Sequence, residues 1–296
     1  MVGKHKIQTL TQAILYLLPA LTVIFTFVVY PLIRSFYMSF FTEYNIFKHS
    51  GSGFVLINYL EVLKDDMFWL ALKNTALYTV GVVPVSIVIS IFIAVLLNNK
   101  LRGMKIFETL YFLPYITNVI AIGLAFRFIF HSNYGILNYF LNIIGIDPVN
   151  WLNDPKYALV SLMIFGIWGG LAFKIVVFLA GLQGIDKQYY QAAKVDGANK
   201  WMTFRKITLP LLSPMIAYIT VISLIGSFKV YVEVVGLYGA RPGPANSAMT
   251  LVFYIYEKFY GSQEPTLAAA ASVLMFAMIL VLTFLQLYVN KKKVHY

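Results

Sequence analysis

Apolar residues along this chain come in long unbroken runs rather than in the one-sided stripes of a soluble fold. Stretches without Asp, Glu, Lys or Arg extend over residues 7–33, 74–99, 109–126, 207–228 and 265–290, and between Tyr157 and Ile185 the one charge is Lys174. Each run is close to or above the ~20 apolar residues that a spanning helix needs. Six transmembrane helices are therefore expected, over about 12–40, 72–98, 108–130, 158–182, 212–238 and 266–289. The fold class is expected to be all-α, because only helices and closed barrels satisfy their backbone in lipid and a barrel would show shorter alternating segments. The N-terminal run is too long for the apolar region of a signal peptide and reads as a retained anchor. No low-complexity linker divides the chain, so residues 1–296 are read as a single transmembrane domain.

Composition agrees with lipid as part of the solvent. Of 296 residues, 60% are hydrophobic and only 12% charged, against roughly a quarter charged in a soluble domain. The net charge of +11 would suit nucleic acid if it were clustered on one surface, but its distribution is topological. Thirteen Lys and Arg and three acids (Glu108, Asp186, Asp196) fall in the termini and the connections on one side of the expected spans. Six Lys and Arg and eight acids fall on the other. The positive-inside rule then puts both termini in the cytoplasm. The absence of Cys removes disulfides, thiolate metal sites and a cysteine nucleophile, and His5, His49, His131 and His295 are too scattered for a metal centre.

The longest cytoplasmic connection, 183–211, carries the most specific pattern. Asp186 can cap a short helix beginning at Lys187, and Gly197 can end it in the left-handed conformation. Such a helix has under three turns and is too short to be stable alone, so something must pack on it. Ala192 and Ala193 allow close approach, and Tyr189, Tyr190 and Val195 supply apolar contact. A second amphipathic piece, 199–208, interleaves Trp201, Phe204 and Ile207 with Lys200, Arg205 and Lys206, as suits an anionic inner leaflet.

Gln191-Ala192-Ala193, then Asp196-Gly197-Ala198, then Ile207-Thr208-Leu209-Pro210 resembles the loop that defines permease subunits of binding-protein-dependent ABC importers. That loop usually reads Glu-Ala-Ala, three residues, Gly, nine residues, Ile-x-Leu-Pro. Outside it, Leu18-Pro19-Ala20, Tyr30-Pro31, residues 35–40, Asn58-Tyr59, Leu101-Arg102-Gly103, Phe112-Leu113-Pro114, Asn150-Trp151-Leu152 and Gly181-Leu182-Gln183 resemble the carbohydrate-uptake branch (maltose, multiple-sugar and glycerol-phosphate types). The resemblance implies a type I ABC importer permease fold. It also implies that the loop helix docks in a cleft of a cytoplasmic ATPase, with coupling carried by Tyr190, Gln191, Ala192, Ala193, Asp196 and Gly197. Gln191 departs from the usual Glu, so no salt bridge is expected there.

Charges inside spans mark function by default because burying them is costly. Arg34 and Arg127 sit near outer span ends, where long side chains can snorkel; Lys174, Lys229 and Glu233 lie deeper, with Lys229 and Glu233 spaced for an internal ion pair. On span five Ser223, Ser227, Val230 and Tyr231 share one helical face; helix packing and a sugar site both remain open. The resemblance implies a pocket near mid-membrane at Gly170 and Phe173 on span four and Ser223, Ser227, Lys229 and Val230 on span five, to which Lys174 adds a second cation. The two lysines keep an acidic sugar open beside neutral oligosaccharides.

The expected function is half of an ATP-driven sugar importer's translocation pathway, working by alternating access in a prokaryotic cytoplasmic membrane. The implied partners are a second permease subunit, two ATPase subunits, an extracytoplasmic solute-binding protein facing the turn-rich 239–246 segment, and membrane lipid, with no nucleic acid. No phosphate-binding Gly-x-x-x-x-Gly-Lys-Ser/Thr loop occurs in the chain, so ATP and Mg would sit on the ATPase subunits, leaving this chain with no cofactor and no enzymatic role. An ion-coupled secondary transporter is the alternative; it would call for internal repeats and coupling acids, of which only Glu233 is present.

Overall fold

A computed structural model describes residues 2–45, 48, 50–98, 109 and 115–293. Lys100, Arg102, Lys105, Glu108, His49, His295, the 101–103 and 112–114 motifs and the start of the third expected span lie outside the described residues. The side chains of Lys4, His5, Lys6, Lys292 and Lys293 also lie outside the description. The chain forms two compact units, residues 1–65 with 255–276, and residues 66–254 with 277–296.

In the first unit α1 (Val2–Ile24) passes through a π-helical turn at Phe25–Val29 into α2 (Tyr30–Met38). The turn has a local cause. Pro31 lacks an N–H, and the Tyr30 N–H reaches back five residues to the Phe25 carbonyl. Two strands follow, β1 (Phe41–Asn45) and β2 (Ser50–Phe54), paired antiparallel with Phe41 opposite Phe54, an addition that the apolar pattern did not announce. Helix α3 (Ile57–Lys64) is tied back to them by the Asn58 amide, which donates to the carbonyls of Ser39 and Phe41 at 2.8 Å each. Tyr59 joins Ser39 hydroxyl to hydroxyl at 2.7 Å, so the Asn58-Tyr59 pair has a structural use. Lys258 bridges Asp65 (3.2 Å) and Glu264 (3.0 Å). Burial alone would lower its pKa, but the hydrogen bonds and charges of Glu264 and Asp65 outweigh this and hold it above the ordinary lysine value.

The second unit is built on α4 (Asp66–Leu97) and α7 (Pro155–Gln183), which pack along their lengths. Between them in sequence lie α5 (Val119–Ile129) and the short α6 (Ile136–Ile143). After α7 come α8 (Lys187–Val195), α9 (Lys200–Thr203), a second π-helical turn at Phe204–Thr208, α10 (Leu209–Leu211), α11 (Ser213–Phe228), α12 (Val232–Tyr238) and α13 (Leu251–Tyr256). Helix α14 (Pro265–Lys293) closes the chain. The second π turn repeats the first: it ends two residues before a proline, Pro210, and the Leu209 N–H reaches the Phe204 carbonyl.

Among the described residues four helices are long and apolar enough to cross a membrane: Ile14–Met38, Asp66–Leu97, Pro155–Gln183 and Pro265–Lys291. They overlap the first, second, fourth and sixth expected spans. Of the third, the described part is the 11-residue α5. The fifth departs from expectation. Its entry segment 200–211 is bent by 63° from α11, and the expected helix over 212–238 is interrupted at 229–231.

The interruption is stabilised from a distance in sequence. The Thr250 hydroxyl donates to the Val230 carbonyl at 2.6 Å, satisfying the acceptor that the broken helix leaves open. Thr250 is itself held close to α4, because Asn74 donates to the Met249 carbonyl (3.1 Å) and the Leu251 N–H donates to Thr75 (3.0 Å). Arg127 is not a snorkelling cation. Its guanidinium donates to the carbonyls of Gly236 (3.1 Å) and Val235 (3.4 Å), where a cation favours the C-terminal end of α12.

Asn138 organises the loop after α5. Its amide nitrogen donates to the Ser132 and Val149 carbonyls (2.8 Å each), and its oxygen accepts from the Val149 N–H (3.1 Å) and Trp151 Nε1 (2.9 Å). This accounts for Trp151 in the Asn150-Trp151-Leu152 motif. Asn138→Leu orphans all four groups, at a cost of about 2 kcal/mol or more. The midpoint of thermal unfolding in detergent is expected to fall by roughly 4 °C or more; an unchanged midpoint would refute this account.

Candidate functional site

A cavity of about 340 Å³ opens among α4, α5, α7, α11 and α12. Tyr78, Tyr115, Phe165 and Trp168 give it aromatic walls, Ser223 and Ser227 give it hydroxyls, and Lys174 and Glu233 give it one charge of each sign. Glycines make the room. A methyl group at Gly170 would stand 2.7 Å from Lys174 Nζ, and one at Gly166 would collide with the Tyr78 hydroxyl. Below the cavity Ile87, Ile91, Phe178, Leu182, Leu212 and Ile219 close into an apolar cluster from α4, α7, the entry to α11 and α11 itself.

Of the seven residues expected around the pocket, Gly170, Lys174, Ser223, Ser227 and Val230 line the cavity. Phe173 does not; it stacks on Tyr115 at 5.9 Å between centroids, behind the wall. Lys229 also does not line it and is exposed. The shared helical face of Ser223, Ser227, Val230 and Tyr231 fails at its last two members, because the backbone leaves the helix at Lys229 and Tyr231 takes φ −145°. Among the described residues no ion pair joins Lys229 and Glu233, which stand on opposite sides of the break. Helical spacing could not foresee the break: no Pro or Gly lies at 229–231.

Lys174 is buried, 7% exposed, and donates to Ser86 Oγ at 2.9 Å. Ser227 accepts from Thr79 at 2.9 Å and donates to the Leu224 carbonyl, joining the α11 wall to α4. Glu233, absent from the expected pocket, lies in the first turn of α12, where backbone N–H groups and the helix dipole favour a carboxylate. One lining charge of each sign leaves the cavity's formal charge balanced.

The 183–211 loop folds as its residues anticipate. Asp186 accepts from the Gln188 N–H at 2.9 Å to start α8. At its end Gly197 takes φ +73°, with Ala198 N–H on the Ala193 carbonyl (2.9 Å) and Gly197 N–H on the Lys194 carbonyl (3.2 Å), the two bonds of a Schellman cap. The six expected coupling residues divide by face. Ala193 is buried, and half-buried Tyr190 pairs its hydroxyl with Thr208 at 3.2 Å, so these two hold the helix to its own chain. Gln191, Ala192, Asp196 and Gly197 face outward. So do Tyr189 and Val195, the latter 88% exposed, which sequence reading had noted only as apolar contacts. Their spacing with Ala192, three residues to either side, was the available signal.

The 239–246 segment is turn-rich as expected, with positive φ at Gly239, Gly243, Ala245 and Asn246.

The family described as binding-protein-dependent transport system inner membrane component matches residues 86–295. The chain is 36% identical to the lactose transport system permease protein LacF of Rhizobium radiobacter, covering 94% of each chain. It is 34% identical to the arabinooligosaccharides transport system permease protein AraP of Bacillus subtilis, over 92% of this chain and 86% of that one. To the trehalose/maltose transport system permease protein MalF of Thermococcus litoralis it is 29% identical, over 98% and 97%. In fold it matches a bacterial ABC transporter that imports the acidic polysaccharide alginate, with a TM-score of 0.84 at 23% identity over 99% of both chains. The family match over most of the residues and the identity to LacF over nearly the whole chain agree: this chain belongs to the binding-protein-dependent transport system inner membrane components.

Proposed function

We propose that this chain forms one half of the translocation path of an ATP-driven importer and that its cavity passes an uncharged sugar or oligosaccharide. The observation that carries the substrate class is the make-up of the cavity: aromatic walls, serine hydroxyls and a Lys174 offset by Glu233. Aromatic faces and hydroxyl-directed hydrogen bonds suit sugars. An acidic sugar would need net positive charge, and the second cation invoked for one, Lys229, is not on the wall. The lactose, arabinooligosaccharide and trehalose/maltose relatives support the same class.

Residues 1–296 act in this reading as one permease domain, with the 183–211 loop as its lever. A second permease completes the path, two cytoplasmic ATPase subunits bind ATP and Mg and engage the outward face of α8, and an extracytoplasmic binding protein delivers the sugar at 239–246. A solved alginate transporter was captured with its oligosaccharide-bound periplasmic protein, which supports the last partner. The surplus of Lys and Arg around the loop supports cytoplasmic termini in the inner membrane. ATP-driven closure of the partner subunits would move α8 and the apolar cluster above it, opening the cavity to alternate sides.

Whole-cell uptake of labelled lactose, maltose, trehalose, arabinooligosaccharide and an alginate oligosaccharide, in cells lacking this chain and complemented by variants, tests the reading. Trp168→Ala and the Ser223→Ala, Ser227→Ala pair are expected to lower uptake of a neutral sugar by about tenfold or more at equal membrane levels, the scale of losing a few directed contacts. Lys229→Gln should stay within about twofold. Uptake confined to the alginate oligosaccharide, or indifference to Trp168→Ala, would refute it.

A further inference from the structure

The segment 200–211 has two faces. Phe204 packs into the apolar cluster and Thr208 and Leu212 are buried, so one side is committed to the protein. The other side exposes Trp201 (69%), Met202 and Leu209 together with Lys200, Arg205 and Lys206. Trp201 and Arg205 are four apart, as are Met202 and Lys206, so two of the three cations sit beside an apolar neighbour. The Trp201 ring stacks on Phe204 at 5.8 Å, which fixes it outward rather than folded over the core. A solvated helix face does not combine Trp, Met and Leu with cations in this way, whereas a helix at a bilayer surface does.

Direction and charge agree. The segment is bent by 63° from α11. With α11 along the bilayer normal, it therefore runs closer to the membrane plane than to the normal. It precedes α11 directly, at the cytoplasmic end of a span. No Asp or Glu occurs between Gly197 and Val232, so Arg205 and Lys206 have no acid nearby in sequence, and Lys200 has Asp196 four residues before it. Tryptophan favours the headgroup level, and Lys and Arg beside it favour anionic lipid.

We propose that this face is a binding site for anionic phospholipid headgroups of the inner leaflet, with Lys200, Arg205 and Lys206 on the phosphate and Trp201, Met202 and Leu209 in the acyl boundary. The proposal rests on the reading of α11 as a spanning helix. It gives the loop lever a fixed point at the membrane surface, about which α8 moves.

The test uses the full chain, alone and in the assembled importer, in nanodiscs of phosphatidylcholine and phosphatidylglycerol in which one or the other lipid is brominated. The Trp201 signal is the difference between the native chain and Trp201→Phe. The expected result is at least twofold stronger quenching of that signal by brominated phosphatidylglycerol than by brominated phosphatidylcholine at equal mole fraction. Half-molar salt, or the Lys200→Gln, Arg205→Gln, Lys206→Gln triple variant, should abolish the preference while leaving quenching by both lipids. Equal quenching of the native chain by both lipids overturns the headgroup site. Absence of Trp201 quenching overturns it in favour of a protein-covered face, whether the chain is alone or assembled. If the tryptophans left in Trp201→Phe are still quenched, the spanning reading survives; if none is quenched, that reading itself fails.

Discussion

Gly123→Leu is expected to remove the folded protein from the membrane, while Gly236→Ala is tolerated. The two glycines face each other where α5 crosses α12, but not symmetrically. A Cβ built on Gly123 would lie within 2.6 Å of Gly236 Cα, against backbone that cannot turn aside. A Cβ on Gly236 would meet the Val119 carbonyl at 3.3 Å and the Gly123 Cα at 3.5 Å, a crowding that a shift of a few tenths of an ångström relieves. Small residues let membrane helices approach at this range, where packing stands in for the missing hydrophobic drive. Separating the helices also draws Gly236 and Val235 away from Arg127, leaving a guanidinium in low dielectric without its acceptors. The combined cost exceeds the ~1–3 kcal/mol of ordinary overpacking. Fluorescence-detected size exclusion of a tagged chain should show a monodisperse peak for Gly236→Ala and loss of the peak for Gly123→Leu; equal behaviour of the two would contradict the asymmetry.

Position 197 should separate assembly from transport. The space around Gly197 is open, with no atom within 4 Å of a built Cβ, so any penalty there is conformational. Its φ of +73° costs an L-residue roughly 1–2 kcal/mol, less for Asn and more for a β-branched side chain. Gly197→Asn is therefore expected to keep about half of the uptake or more. Gly197→Val should lose the two capping bonds, fray the end of α8 and reduce uptake to less than about a tenth. Both variants should reach the membrane at native levels, because α8 adds little to the buried core. Uptake that falls equally for Asn and Val would mean that the side chain's presence, not the backbone conformation, is what the site rejects.

Much of this was legible along the chain. The runs free of charge located the long helices because lipid penalises every charge in them, a rule that needs no knowledge of tertiary contacts. Asp186 and Gly197 marked both ends of α8 because capping is local chemistry. The break at 229–231 was hidden for the opposite reason. Nothing in Lys229-Val230-Tyr231 resists a helix; the conformation is held by Thr250, which in turn depends on Asn74 and Thr75, far away in sequence. Glu233 was misread with it, since its apparent partner Lys229 was placed by helical spacing that the break cancels. Helical alternation also could not show which of Tyr189 and Tyr190 faces inward, a choice made by Thr208. The π-helical turns at 25–29 and 204–208 were hidden too, although both stand just before a proline that the sequence displays.

The bond from Thr250 to Val230 also orders how the chain is made. Ribosomal synthesis delivers Val230 to the bilayer before Thr250 exists, and the carbonyl that Thr250 satisfies has at that moment no such partner in lipid, a debt of several kcal/mol. Helix α11 has 16 residues, or about 24 Å, short of the ~30 Å hydrocarbon thickness. The fifth span is thus incomplete as it leaves the translocon. Its part beyond Phe228 takes its final place only when residues 249–251 have come back to α4, so 229–250 is expected to be ordered late in synthesis.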